Sequence, residues 1–185
     1  EASHLDIGFT KPPDDIEAFA KSHLDQVVAN LKLDHGYRWN IESTWWLERW
    51  LEQSTPAQVT ALMDYVRQGR IHVMAGYANL HSTVTTREEL IRAVSYAHDR
   101  AKAEGFAVRS FIQDDVPGAS WALPEILKQS GVEYYVGGMN CPFGGALREP
   151  AHGDRPFWWE GPDGSRVLSW ITFGLLLAGR QLYGW

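Results

Sequence analysis

The sequence has few of the features that mark disulfide-stabilised, membrane-spanning or nucleic-acid-binding proteins. It contains one cysteine, Cys141, which excludes an intramolecular disulfide and leaves the redox compartment open. The longest apolar run, residues 171–179, is interrupted by glycine and is about half the ~18 residues that a transmembrane helix needs. The 17 basic and 23 acidic side chains give a formal charge of −6, with no basic cluster. We therefore expect no nucleic-acid partner and no membrane partner.

Three common catalytic motifs are also missing from the sequence: a glycine-rich phosphate loop, a HExxH metal pair and a CxxC pair. The remaining candidates for catalytic or metal-binding residues are carboxylates and histidines at predicted strand ends. Tryptophan, by contrast, is abundant, and its nine copies exceed the seven tyrosines or seven phenylalanines. Such a composition is typical of proteins that bind flat apolar faces, sugars included, although core packing accounts for most tryptophans.

The hydrophobic pattern alternates between helix and strand along most of the chain. Helices are predicted over residues 16–31, 43–53, 55–69, 86–105 and 120–131, and strands over residues 37–41, 71–75, 108–112 and 133–136. Capping boxes begin the helices at Thr55 and Thr86, and Ser120 is predicted to cap the last helix. Residues 157–170 have the pattern of a β-hairpin. These repeated strand–helix units predict an α/β fold with a parallel sheet or barrel.

The first residues of the chain form a polar, glycine-terminated turn, residues 2–8, with no strand before it. A β/α architecture needs a strand that leads into such a turn. We therefore expect the chain to be a fragment whose natural N-terminus lies upstream.

His4 and Asp6 are two residues apart, so in an extended segment both side chains lie on one side. An imidazole and a carboxylate that converge in this way suit Zn²⁺ or another divalent cation. On this motif alone, a turn in which Asp6 binds backbone amides beside an exposed histidine is the more common arrangement.

Asp114 and Asp115 follow an apolar strand and precede a helix. They therefore lie at the carboxyl end of a strand, where α/β folds place their chemistry. Adjacent side chains of an extended segment face opposite sides, so we expect at most one of the two carboxylates to point into a site. On this motif alone, capping of the next helix explains the pair equally well.

Five motifs resemble, in order and spacing, those of glycoside hydrolase family 38, the α-mannosidases. Residues 4–9 resemble the HxDxGW opening of the family, and residues 115–120 resemble its DxxGxS motif. Residues 38–50 are similar to its aromatic-plus-glutamate segment, and residues 68–77 to its GR-strand-GGW stretch. Residues 157–168 resemble its W-x-G-x-DGS-x-V hairpin. The resemblance covers nearly the whole chain.

The resemblance implies a seven-stranded (β/α) barrel of the glycoside hydrolase and deacetylase type, incomplete in this chain, so that residues 1–185 are one partial catalytic domain. It implies a Zn²⁺ ion, or another divalent cation, held by His4, Asp6 and Asp115. Asp115 would also be the nucleophile of a retaining attack on a carbohydrate substrate. Further domains, a fourth ligand and the acid/base aspartate are expected beyond residue 185. The oligomeric state stays open, a homo-oligomer included.

Four residues are predicted to bind substrate: Phe9, Glu42, His81 and Asp114. Phe9 replaces a tryptophan of the family and would stack on a sugar ring. Glu42 would orient a site residue or bind sugar, with charge compensation at a helix N-terminus as an equal alternative. His81 follows the strand over residues 71–75 and would face the cleft, although a surface or core histidine is the more common arrangement.

The sequence departs from the family pattern near the expected substrate. Ala119 replaces a histidine, residues 139–140 replace a basic side chain, and residues 79–83 replace an Asn-Asp-Glu run. These departures predict a divergent, bacterial branch. Two other functions stay open: a metal-dependent carbohydrate deacetylase, with Asp115 as general base for water, and a non-catalytic carbohydrate-binding module.

Overall fold

A computed structural model describes residues 3–4, 6–7, 11–116, 118–138 and 155–172. The described helices are α1 (Pro13–Leu33), α2 (Thr44–Glu52), α3 (Pro56–Arg67), α4 (Arg87–Glu104) and α5 (Leu123–Gln129). The described strands are β1 (Trp39–Ile41), β2 (Ile71–Val73), β3 (Ser110–Asp114), β4 (Tyr134–Gly138), β5 (Phe157–Glu160) and β6 (Arg166–Thr172). None of these helices combines the length and the apolar character that crossing a membrane requires.

Local sequence signals explain where the helices begin. Both predicted capping boxes form. The side chains of Thr55 and Thr86 accept from the backbone N–H groups of Gln58 and Glu89, and the side chains of Gln58 and Glu89 accept from the backbone N–H groups of the two threonines. The prediction for Ser120 is wrong, because α5 begins at Leu123 with Ala122 as its N-cap. The Ser120 hydroxyl accepts from the Ala122 N–H at 3.3 Å and so closes a turn before the helix.

The strands are mostly parallel, as the strand–helix alternation predicts. β1 pairs with β2, and β3, β4 and β6 lie side by side in parallel. β5 is the antiparallel edge strand of the predicted hairpin with β6. The Ala75 N–H donates to the Ser110 carbonyl at 2.8 Å and joins the two sheets. The α/β fold is confirmed, whereas the described strands form two small sheets and the closed seven-stranded barrel stays a prediction.

The helices pack against these sheets in two apolar clusters. The first lies among α1, α2, α3 and the β1–β2 pair, and buries Trp39, Trp46 and Trp50. The second lies between the helices α4 and α5 and the four-stranded sheet. Trp121 and Trp158, in contrast, are 68% and 63% exposed. This packing leaves the carboxyl ends of β1, β2 and β3 at one common edge.

Candidate active site

The candidate site lies where the chain leaves three parallel strands. Glu42 follows β1, Asn79 lies in the loop after β2, and Asp115 directly follows β3. The imidazole of His4, from the N-terminal segment, approaches all three of these side chains. Because the carboxyl ends of parallel strands meet at one edge, residues far apart in sequence converge here.

The Nδ1 side of the His4 ring is held by Glu42. His4 Nδ1 lies 2.7 Å from Glu42 Oε1, and the Glu42 residue is only 6% exposed. A carboxylate only accepts, so Nδ1 carries the proton of this hydrogen bond. In neutral His4 the lone pair is then on Nε2, as in metal-binding histidines whose other nitrogen donates to a carboxylate. The contact restricts the orientation of the His4 ring.

The Nε2 side of the same ring faces two further carboxylates. His4 Nε2 lies 3.4 Å from Asp6 Oδ1 and 3.9 Å from Asp115 Oδ2. One potential ligand atom from each of the three residues lies within 4.8 Å of the other two. The side chains of Asp6 and Asp115 are 39% and 18% exposed, so this side of the ring has more exposed neighbours than the Glu42 side, although the Nε2 atom itself is buried.

Asp115 has a left-handed backbone, with φ at 55°, and within the described ranges it is the one non-glycine residue with positive φ. Both neighbouring aspartates approach the His4 ring, and the expectation that at most one of them points into the site stays a prediction. A ligand atom of Asp114 lies within 4.8 Å of ligand atoms of His4 and Glu42, while Asp115 approaches His4 and Asp6. An extended Asp115 would have turned one carboxylate away.

Charge and burial shift the pKa values of the central groups. Burial by itself lowers the pKa of His4, but the hydrogen bond and charge of Glu42, with the charges of Asp114 and Asp6, raise it to about 9. Burial raises the pKa of Asp115, the charge of His4 counteracts this, and the two neighbouring aspartates add to the rise. The site therefore concentrates negative charge that a cation would compensate.

Sequence reasoning missed Asn79. Its Nδ2 donates to Glu42 Oε1 at 2.9 Å, and its Oδ1 accepts a long hydrogen bond of 3.4 Å from the Asp114 backbone N–H. The residue thereby links the ends of β1, β2 and β3. The available signal was its position a few residues after a predicted strand, in the segment that departs from the family pattern.

The remaining predicted residues are placed as follows. Phe9 lies outside the described residues, as do residues 139–140. His81 is exposed in a turn, where its carbonyl accepts from Val84 N–H and the Thr85 hydroxyl. Its side chain belongs to neither group of potential ligands around His4. The substrate-binding roles of Phe9 and His81 stay predictions.

Comparison with known proteins assigns the family. Residues 1–175 match the model of the glycosyl hydrolases family 38 N-terminal domain. The chain belongs to glycosyl hydrolase family 38. The resemblance drawn from the five motifs is thereby confirmed. Among curated proteins, none matches the sequence of this family 38 chain.

Solved structures share the fold of this family 38 chain. A family 38 glycosyl hydrolase from Enterococcus faecalis matches with a TM-score of 0.70 at 16% identity, over 94% of this chain and 18% of that one. An alpha-mannosidase from Enterococcus faecalis matches with a TM-score of 0.74 at 16% identity, over 87% and 18%. A 4-alpha-glucanotransferase from Thermococcus litoralis matches with a TM-score of 0.62 at 14% identity, over 91% and 26%. The family 38 chain thus spans less than a third of the length of each.

Proposed function

We propose that this chain supplies part of the active site of a metal-dependent, retaining glycoside hydrolase that acts on α-mannosides or related carbohydrates. The observation that carries the proposal is the convergence of His4, Asp6 and Asp115, whose potential ligand atoms all lie within 4.8 Å of one another. Membership of glycosyl hydrolase family 38 supports the reaction class, and the alpha-mannosidase among the similar folds supports the sugar.

The residues fit a divalent cation such as Zn²⁺. Ligands of a tetrahedral zinc ion at about 2.0–2.1 Å lie roughly 3.3 Å apart, close to the 3.4 Å between His4 Nε2 and Asp6 Oδ1. Asp115 Oδ1 is buried and has no hydrogen-bond partner among the residues that the structure describes, which suits a ligand atom. His4, Asp6 and Asp115 would hold the ion. When bound, the cation supplies Lewis-acid binding of vicinal sugar hydroxyls.

Asp115 is the proposed nucleophile. One of its carboxylate oxygens forms a bond to the anomeric carbon while the bond from that carbon to the leaving oxygen breaks. The leaving oxygen takes a proton from a second carboxylic acid, which acts as general acid. Water then forms a bond to the anomeric carbon and gives a proton to the carboxylate that the acid has become, while the bond from that carbon to Asp115 breaks. The two inversions retain the anomeric configuration. The left-handed backbone fixes the direction from which this carboxylate approaches.

The surrounding residues hold this nucleophile and its neighbours in place. Glu42 fixes the imidazole of His4 through the 2.7 Å contact, and its position agrees better with orientation than with helix charge compensation alone. Asp114 is 3% exposed and lies beside His4 and Glu42. We propose that Asp114 adds negative charge next to the proposed ligand residues. Direct sugar binding, the role predicted from the sequence, would need a carboxylate that reaches the cleft.

Trapping of the covalent intermediate tests the proposed function. The natural polypeptide is incubated with 2-deoxy-2-fluoro-α-mannosyl fluoride and analysed by peptide mass spectrometry. A glycosyl label on Asp115 is expected, and a label on another carboxylate would overturn the assignment of the nucleophile. The absence of any label, with release of acetate from an acetylated sugar, would favour the deacetylase. The absence of zinc and of both activities would favour the binding module.

A further inference from the structure

We infer that Asn79 is a positioning residue of this site, which holds the Glu42 carboxylate where it fixes the His4 ring. The inference rests on the proposed function, because a fixed ring serves cation binding by His4. Asn79 is neither a potential ligand nor one of the residues that the sequence motifs single out. Its role follows from its hydrogen bonds.

Asn79 and His4 donate hydrogen bonds to the same acceptor, one oxygen of the Glu42 carboxylate. Glu42 Oε1 accepts from Asn79 Nδ2 at 2.9 Å and from His4 Nδ1 at 2.7 Å. The two nitrogens lie 3.3 Å apart, and both carry hydrogens when each donates to Glu42, so this contact is a consequence of the shared acceptor. Because Glu42 is buried, two fixed donors leave its carboxylate little freedom to rotate away from His4.

The amide of Asn79 has one orientation that satisfies both of its neighbours. Its Nδ2 meets the Glu42 carboxylate, and its Oδ1 meets the Asp114 backbone N–H at 3.4 Å. The reversed amide would set an oxygen against the carboxylate and an NH₂ group against the N–H donor. The hydrogen-bond partners of Asn79 therefore fix the orientation of its amide group, as expected for a residue that positions Glu42.

Other contacts already hold the loop that carries Asn79. The Leu80 carbonyl accepts from the Gln113 side chain, and the Ser82 hydroxyl accepts from the Ser120 N–H at 2.9 Å. Because these tethers fasten the loop to β3 and to the segment after it, loop anchoring and Glu42 positioning can be separated by mutation. Ser82→Ala removes a tether of the same loop without touching Glu42.

The test measures zinc affinity by calorimetry and the visible spectrum of the Co²⁺-substituted protein. Asn79→Ala in the natural polypeptide is expected to weaken zinc binding about 10-fold or more, as for other residues that support metal ligands, and to change the cobalt spectrum. Asn79→Leu, which fills the volume without a polar atom, repeats the test if the alanine variant is unstable. Ser82→Ala is the matched control and should lower the melting temperature while zinc affinity and spectrum stay unchanged.

A double-mutant cycle with Glu42→Ala, which removes the acceptor that Asn79 and His4 share, decides whether Asn79 acts through Glu42. In that background, Asn79→Ala should lose most of its effect on zinc affinity. Full additivity, or an Asn79→Ala protein with unchanged affinity and spectrum, would overturn this inference alone. A wild-type protein that binds no zinc would overturn the proposed function and the inference together, so the two failures are distinguishable.

Discussion

The two sides of the His4 imidazole have opposite surroundings. On the Nδ1 side, Glu42 lies at 2.7 Å, is almost fully buried and receives a second hydrogen bond from Asn79. On the Nε2 side, Asp6 and Asp115 lie at 3.4 and 3.9 Å and are partly exposed. Short, buried contacts fix a group, whereas longer contacts near solvent leave room for a ligand. We call the Nδ1 side of the ring the holding side, and the Nε2 side, where the proposed cation would be bound, the binding side.

The largest effect is expected from Asp115→Asn, on the binding side. Asparagine tolerates the left-handed backbone but is not a nucleophile, so turnover should fall on the order of 10³-fold or more. Steady-state kinetics measure the loss, and an unchanged circular dichroism spectrum shows that the fold is kept. Turnover within tenfold of the wild type would refute the role of Asp115.

The second-largest effect is expected from His4→Ala, which removes the imidazole ring and so both its contact with Glu42 and the proposed zinc ligand. Zinc content and activity should fall together, because the ring supplies one of the three ligands that this chain contributes to the proposed site. Elemental analysis and calorimetry measure the binding. His72→Ala, at an exposed position of β2, is the matched histidine control. Stoichiometric zinc in the His4 variant would show that the ion is held elsewhere.

A smaller effect is expected from Glu42→Gln, which weakens the holding side and leaves the binding side intact. The glutamine oxygen can still accept from His4 Nδ1, but the negative charge is lost, so zinc affinity should fall about 10- to 100-fold. Calorimetric titration measures this change. Equal zinc affinities for the variant and the wild type would contradict the proposal that Glu42 supports cation binding by His4.

The smallest effect is expected from Thr55→Ala, remote from both sides of the ring. Loss of the capping box at the start of α3 should lower stability by about 1 kcal/mol, without change in zinc affinity. Urea denaturation and calorimetry check the two halves of this expectation. Weaker zinc binding in this variant would show that zinc affinity follows the general stability of the fold. The effects of the other variants on zinc affinity could then not be assigned to either side of the His4 ring.

The sequence predicts the local structure well because its signals are local. Capping residues such as Thr55 and Thr86 act within one turn of helix, and the order of strands and helices brings Glu42 and Asp115 to one edge of the fold. The left-handed backbone of Asp115 could not be predicted because an Asp-Asp pair at a strand end gives no sign of positive φ. Asn79 was missed because a single loop asparagine has no spacing that a motif could record. Barrel closure depends on pairings distant in sequence, which local patterns do not encode.

The uneven burial of the tryptophans has a practical consequence for spectroscopy. Trp39, Trp46 and Trp50 are shielded in the first apolar cluster, whereas Trp121 and Trp158 are accessible to solutes. A collisional quencher such as acrylamide should therefore reduce the fluorescence of the accessible pair first and reach the shielded three only when the helices α1–α3 separate. Quenching during denaturation can consequently report when the first apolar cluster becomes accessible to solutes.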